Sequence, residues 1–198
     1  KNGGMLCCGK HFPGHGDTET DSHLGLPVVN KSLEEIERVE LVSFRRAIEE
    51  KIDALMTAHV VFPALEPERI PSTVSRKVMT GLLREKMGFE GLIVTDCMEM
   101  DAIKRQFGSA RGALMALQAG VDMTLICHTE AFQREAAELI VEAMQDGRLS
   151  MEEAQESYRR IADVKRRKAV LPLTDPAVIG CPVHRVIAES ILRKAGTA

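Results

Sequence analysis

The chain has 198 residues, 44% of them hydrophobic and 28% charged, with 26 basic against 29 acidic side chains and a formal net charge of −3. That composition excludes a disordered tail, a collagen-like repeat and a disulfide miniprotein, and the length corresponds to one domain, or one and a piece, able to bury a core. The absence of excess positive charge and of tryptophan, with a single tyrosine, argues against nucleic-acid partners and anionic membranes, and no apolar run approaches the roughly 20 residues that cross a bilayer.

Four short apolar runs predict buried strands: Met5–Cys8, Ala54–Ala58, Gly91–Thr95 and Asp122–Cys127. Each is followed by a polar loop and a helical pattern, the mark of βα units and a parallel sheet. After the first run comes a long segment, Lys10 to Asn30, rich in Gly, His and Asp and without apolar periodicity. Loops of that length in compact α/β domains are usually functional. Ser32-Leu-Glu-Glu35 is a capping box opening a helix whose apolar positions are Ile36, Val39, Phe44, Ile48 and Ile52. Ser75 can cap a helix with Val78, Leu82, Leu83 and Met87 on its apolar face and Gly88 at its end. Ala110–Ala119 reads as a short helix stopped by Gly120. Thr129 precedes a helix carrying Phe132, Ala136, Leu139, Ile140 and Met144, and Ser150-Met-Glu-Glu153 opens another with a basic end at Lys165–Lys168. The tail from Pro172 is punctuated by Pro and Gly and reads as a helix from about Val186 to Lys194. The order β-α-β-α-β-α-β-α-α supplies four βα units, half of what a closed eight-stranded barrel needs, or a small open sheet.

Of the five cysteines, Cys7, Cys8, Cys97, Cys127 and Cys181, four lie in apolar runs and read as reduced core thiols, which favours a reducing, cytoplasmic compartment. No CxxC pair occurs. Lys1-Asn2-Gly3-Gly4 is not a signal peptide and lacks a starting Met, so the natural N-terminus is not visible and an exported or cell-wall-associated location stays open.

Candidate chemistry concentrates after the first and third strands. The segment Lys10-His-Phe-Pro-Gly-His-Gly-Asp-Thr-Glu-Thr-Asp-Ser-His23 holds three of the six histidines together with Asp17, Glu19 and Asp21. It can be a solvated loop, a zinc site, though Lys10 beside His11 opposes a cation, or an acid–base device. In the last case Asp21 would face one imidazole nitrogen of His23 and leave the other free. Leu92-Ile-Val-Thr-Asp96 is an apolar strand ending in a carboxylate, which either faces a site at the sheet's C-terminal edge or caps the next helix. His59 ends the second strand and reads more readily as a wall histidine than as a catalyst. Cys127-His128 ends the fourth and is the weakest of these signals.

Lys10-His11-Phe12-Pro13-Gly14-His15-Gly16-Asp17-Thr18 followed by Asp21-Ser22-His23 resembles the signature of family 3 glycoside hydrolases, most closely the β-N-acetylglucosaminidases of bacterial cell-wall recycling. Met56-Thr-Ala-His59 and Gly91-Leu-Ile-Val-Thr-Asp96 are similar to the family's next motifs, in the same order, and the resemblance runs from about residue 4 to residue 195. It implies an α/β fold whose parallel βα units are strands five to eight of a (β/α)8 TIM barrel. Residues 1–170 would be the C-terminal half of that barrel, and 171–198 a tail or linker toward a second domain.

By the same resemblance Asp96 matches the nucleophile, His23 the general acid/base, Asp21 its dyad partner, and Lys10 and His11 residues that hold sugar hydroxyls. An acid and an arginine from the barrel's first half have no match here, so the missing N-terminal half is the expected protein partner. The implied activity is that of a retaining, exo-acting β-N-acetylhexosaminidase that releases terminal β-linked N-acetylglucosamine from peptidoglycan-derived sugars such as muropeptide fragments. No cofactor or metal is expected. Because a histidine replaces one of the usual two carboxylates, phosphate could replace water as acceptor, so a phosphorylase is the nearest alternative. From a different class, an inactive half-barrel that binds sugar or a partner chain is the other.

Overall fold

The computed structural model describes residues 5–16, 18, 26–168 and 175–196. The chain divides into two compact units, residues 1–166 and 167–198.

The first unit is built on a four-stranded parallel sheet in sequential order, β1 (Cys8–Phe12), β2 (Ala54–Thr57), β3 (Leu92–Cys97) and β4 (Met123–Leu125). Between the strands lie α1 (Leu33–Arg38) and α2 (Glu40–Glu49), then a π-helix Lys77–Lys86, then α3 (Asp101–Phe107) and α4 (Ser109–Gln118). After β4 come α5 (Glu130–Gln145) and α6 (Met151–Lys168). Parallel βα units are therefore present as expected, but the first strand begins three residues later than its apolar run. Met5 and Leu6 are exposed, and the strand instead takes in Lys10 and His11.

The register explains why a lysine belongs in a strand. Lys10 pairs with Met56 and Met56 with Val94, so these three lie in one row across the sheet. Side chains alternate between faces. Gly9, Leu55, Thr57, Ile93 and Thr95 therefore share the opposite face, and apart from half-buried Gly9 they are fully buried. Cys8, Lys10, Met56, Val94 and Asp96 share the open face and keep contact with solvent. The core joins Leu55 and Ile93 to Ile36, Leu41 and Phe44 of the first helices, to Val78, Met79 and Leu83 of the π-helix, and to Ala113 and Ala116 of α4. Phe12 closes it at one end, edge-on to Phe44 at 5.2 Å.

Ser32 forms its capping box with Glu35 in full, but the helix it opens breaks at Val39, which is exposed. Leu41 rather than Val39 reaches the core. Ser75 Oγ accepts from the Val78 amide as a cap should, while the last turn closes through Met87 N–H to Leu82 C=O, five residues back. The Ser150 box is half made: Ser150 Oγ accepts from the Glu153 amide, and the Glu153 carboxylate pairs with Arg76. None of the cysteines is a core thiol. Cys8 and Cys127 are exposed and Cys7, Cys97 and Cys181 are half-buried.

The second unit carries α7 (Pro182–Lys194), which starts four residues earlier than the sequence pattern suggests. Pro182 takes the first helical position, where its missing N–H costs nothing. No helix among the described residues is long and apolar enough to cross a membrane.

Candidate active site

The strands deliver their C-terminal ends to one edge of the sheet. β1 brings Lys10 and His11, the turn after β2 brings His59, β3 brings Asp96 and Cys97, and the turn after β4 brings Cys127 and His128. Asp96 does not cap the next helix, whose N-cap is Met100. Its Oδ1 accepts from the Cys97 amide at 2.8 Å. Its Oδ2 lies 3.3 Å from Nε2 of His11, with the two side chains 29% and 26% exposed. One oxygen is thus anchored to the backbone while the other faces the open edge.

His11 sits at an irregularity of the β1–β2 register, between Lys10, paired with Met56, and Phe12, paired with Thr57. Partial burial lowers its pKa. The negative charge of Asp96 opposes that shift, and Lys10 and His15 reinforce it. A neutral ring carries one N–H, and the facing carboxylate selects the Nε2–H tautomer. The His15 ring stands edge-on to it at 5.8 Å, and Thr18 hydrogen-bonds to His15 through both the ring and the carbonyl.

His59 is buried, and its contacts make it a wall rather than a reacting group. Nε2 lies 3.1 Å from the Cys97 carbonyl, Nδ1 lies 2.8 Å from Thr73 Oγ1, and Thr73 Oγ1 lies 2.8 Å from Thr57 Oγ1. Burial pushes its pKa down to about 4, against the pull of the Cys97 carbonyl and Asp96. The ring is therefore neutral near pH 7, with its proton on Nε2 because a carbonyl only accepts. Together His59 and Asp96 grip the Cys97 backbone from both sides, which fixes the end of β3.

Glu99, which the sequence pattern does not single out, ties that strand end to the next loop. Its carboxylate accepts from the amides of His128 at 2.6 Å and Thr129 at 3.0 Å, and hydrogen bonds, first the one from the Thr129 side chain and then those from the amides, hold its pKa below the ordinary value against its own desolvation. An acid three residues past a strand-end aspartate was the available signal. Thr73, the partner of His59, has none, because it lies fourteen residues away in a separate turn.

Asp21 and His23 lie outside the described residues, as do Asp17 and Glu19. The structure does show where their segment departs and returns. The Phe12 carbonyl accepts from Ala58 at 2.7 Å, and Pro27 and Val29 bracket Val61 with two bonds of 2.9 Å. Both ends of the segment are thus pinned to the turn that carries His59. Gly14 has φ +150°, and a Cβ there would come within 2.7 Å of Glu40 Cγ, so this motif position requires glycine.

A family model described as the N-terminal domain of glycosyl hydrolase family 3 matches residues 1–164. Beta-hexosaminidase A of Pseudoalteromonas piscicida is 33% identical over an alignment that covers 98% of this chain and 36% of that protein. A solved family 3 β-N-acetylglucosaminidase from Paenibacillus sp. str. FPU-7 superimposes with a TM-score of 0.84 at 43% identity, over 88% of this chain and 34% of the other. A β-glucoside phosphorylase superimposes with a TM-score of 0.77 at 27% identity, over 86% of this chain and 32% of the other. The chain spans about a third of the length of these relatives.

Proposed function

The chain belongs to glycosyl hydrolase family 3, and from that premise we propose that it is the half of a TIM barrel that carries the nucleophile and the acid/base of a retaining β-N-acetylhexosaminidase. Residues 1–170 are on this reading the C-terminal half of the barrel, and 171–198 lead toward a second domain. The substrates are β-N-acetylglucosaminides, including fragments derived from peptidoglycan.

The observation that carries the reading is the Asp96–His11 pair. A carboxylate stands at the C-terminal end of a parallel strand, one oxygen anchored and the other facing a ring from the Lys10-His11 motif. In the first step His23, as imidazolium, gives its proton to the glycosidic oxygen. The Asp96 carboxylate attacks the anomeric carbon, the bond to the aglycone breaks, and a covalent glycosyl-enzyme forms. Neutral His23 then takes a proton from water, the water oxygen attacks the anomeric carbon, and the Asp96 carboxylate departs, so configuration is retained. Asp21 orients the His23 ring and favours its charged form. Lys10 and His11 hold sugar hydroxyls, the neutral His11 ring donating or accepting without adding charge.

The test uses the complete barrel, with both halves present. Asp96→Ala should abolish turnover. His23→Ala should slow the natural disaccharide by about 10²–10⁴-fold, the usual worth of general acid catalysis, and cleavage of nitrophenyl glycosides far less, because an acidic phenol departs without protonation. A burst of phenol should appear and azide should relieve the block, since azide attacks without losing a proton. Equal loss on both substrates with no azide rescue would move the acid/base elsewhere. The similarity to a β-glucoside phosphorylase supports a second reading, in which phosphate is the acceptor; it predicts N-acetylglucosamine 1-phosphate as product in phosphate buffer, whereas hydrolysis gives the free sugar.

A further inference from the structure

At the same edge of the sheet, following Asp96 in the chain, lies a second group of side chains that the glycosidase chemistry does not use. The Sγ of Cys97, a carboxylate oxygen of Glu99 and a ring nitrogen of His128 all lie within 4.8 Å of one another. Thiolate, imidazole and carboxylate are the donor types that zinc takes, and three protein donors with a fourth position open is a common arrangement. In a tetrahedral site with ordinary zinc–ligand bonds, donor atoms stand roughly 3.3–3.8 Å apart. Closing on an ion therefore asks for about an ångström of movement, and the exposed His128 side chain is free to supply it.

The frame of the site is already rigid. Cys97 is held at its amide by Asp96 and at its carbonyl by His59. Glu99 is held by the amides of His128 and Thr129, one per carboxylate oxygen, and the Cys97 thiol already donates to its Oε2 at 3.9 Å, so a metal would take the place of the thiol proton between that sulfur and oxygen. Glu99 alone is explained by its bridge to the next loop, but that bridge does not require a thiol and an imidazole to converge on the same carboxylate.

We propose that Cys97, Glu99 and His128 bind a borderline-soft divalent cation, Zn²⁺ in the first instance, at the rim of the sheet next to Asp96, with the fourth position left to solvent. Binding does not depend on what Asp96 does to a sugar, so it is tested apart from activity. The 198-residue chain is titrated under reducing conditions with Co²⁺ and then Zn²⁺. One equivalent of Co²⁺ should raise sulfur-to-cobalt charge-transfer absorption, and Zn²⁺ should displace it. Cys97→Ser should abolish that absorption. His128→Ala, which keeps the backbone amide that Glu99 uses, should weaken binding by on the order of 10-fold or more. Cys8→Ser, Cys181→Ser and His11→Ala should leave it unchanged, and circular dichroism should show every variant folded. Absence of a charge-transfer band, or its loss in His11→Ala or Cys8→Ser with retention in Cys97→Ser, would overturn the proposal.

Discussion

His59 carries a cost that can be read as a pH dependence. Its folded pKa, about 4, lies below the ordinary imidazole value of 6.5 because the ring is buried. Between those values the unfolded chain binds more protons than the folded one, so stability falls as pH falls. From pH 7 to pH 5 the loss from this group is about 2 kcal/mol. His11, shifted in the same direction, adds to it with the same sign. The depressed carboxylates Glu66 and Glu99 titrate below this window. Urea unfolding at pH 7 and pH 5 should therefore show a steep loss in the natural chain and a shallower one in His59→Gln. Equal slopes would mean that His59 is not held neutral by burial. At this scale the sequence was informative where the chemistry is local. An apolar run ending in an aspartate pointed to a strand-end carboxylate, and the structure places Asp96 there. It was silent on Thr73, whose role exists only once distant turns meet, and the acid three residues past Asp96 hinted at Glu99 without showing the loop that it ties.

Among the elements, one buried carboxylate at the other end of the sheet ties several together. The Asp122 side chain is fully buried. Its Oδ2 accepts from the Ile93 amide at 2.8 Å and pairs with Arg84 at 2.5 Å, and its Oδ1 accepts from Ser157 at 2.9 Å and pairs with Arg160 at 3.0 Å. One carboxylate thus joins β3, β4, the π-helix and α6. Removing it leaves the largely buried Arg84 without its counter-charge, although Nη1 still donates to the Phe89 and Gly91 carbonyls, and breaking a buried pair in that way typically costs about 3–5 kcal/mol. Asp122→Ala should lose that much in urea, and Arg160→Ala, whose guanidinium is partly solvated, clearly less. Equal losses would place the energy in α6 docking rather than in the buried charge. Element boundaries were legible where a local signal exists: the Ser32 box, the Gly120 stop after α4 and the Thr129 start of α5 all stand. They were not legible where packing decides. Met5 and Leu6 are apolar yet stay exposed, and Lys10 sits within a strand because its face of the sheet is open. The break at Val39 has no Pro or Gly to announce it, and α3 is too short for its apolar pattern to register.

For the molecule as a whole, the sheet leaves two edges. In the order β1-β2-β3-β4, the outer sides of β1 and β4 have no strand partner among the described residues, and all three residues of β4 are half-exposed. The open face adds Lys10, Met56, Val94 and Asp96, which a closed barrel would turn toward its interior. Unpaired N–H and C=O groups along a flat parallel edge are a template for another chain, and strand tilt and stagger close a barrel only when the full set of strands is present. The 198-residue chain by itself should therefore self-associate, and sedimentation velocity should show dimers or larger species whose proportion rises with concentration. Co-expression with the first half of a family 3 barrel should replace them with a single one-to-one assembly, and hydrogen exchange should then slow at the β1 and β4 amides and nowhere else in the sheet. A concentration-independent monomer, with those edge amides exchanging freely, would show that four βα units suffice as an open sheet and that the half-barrel reading of this chain is wrong.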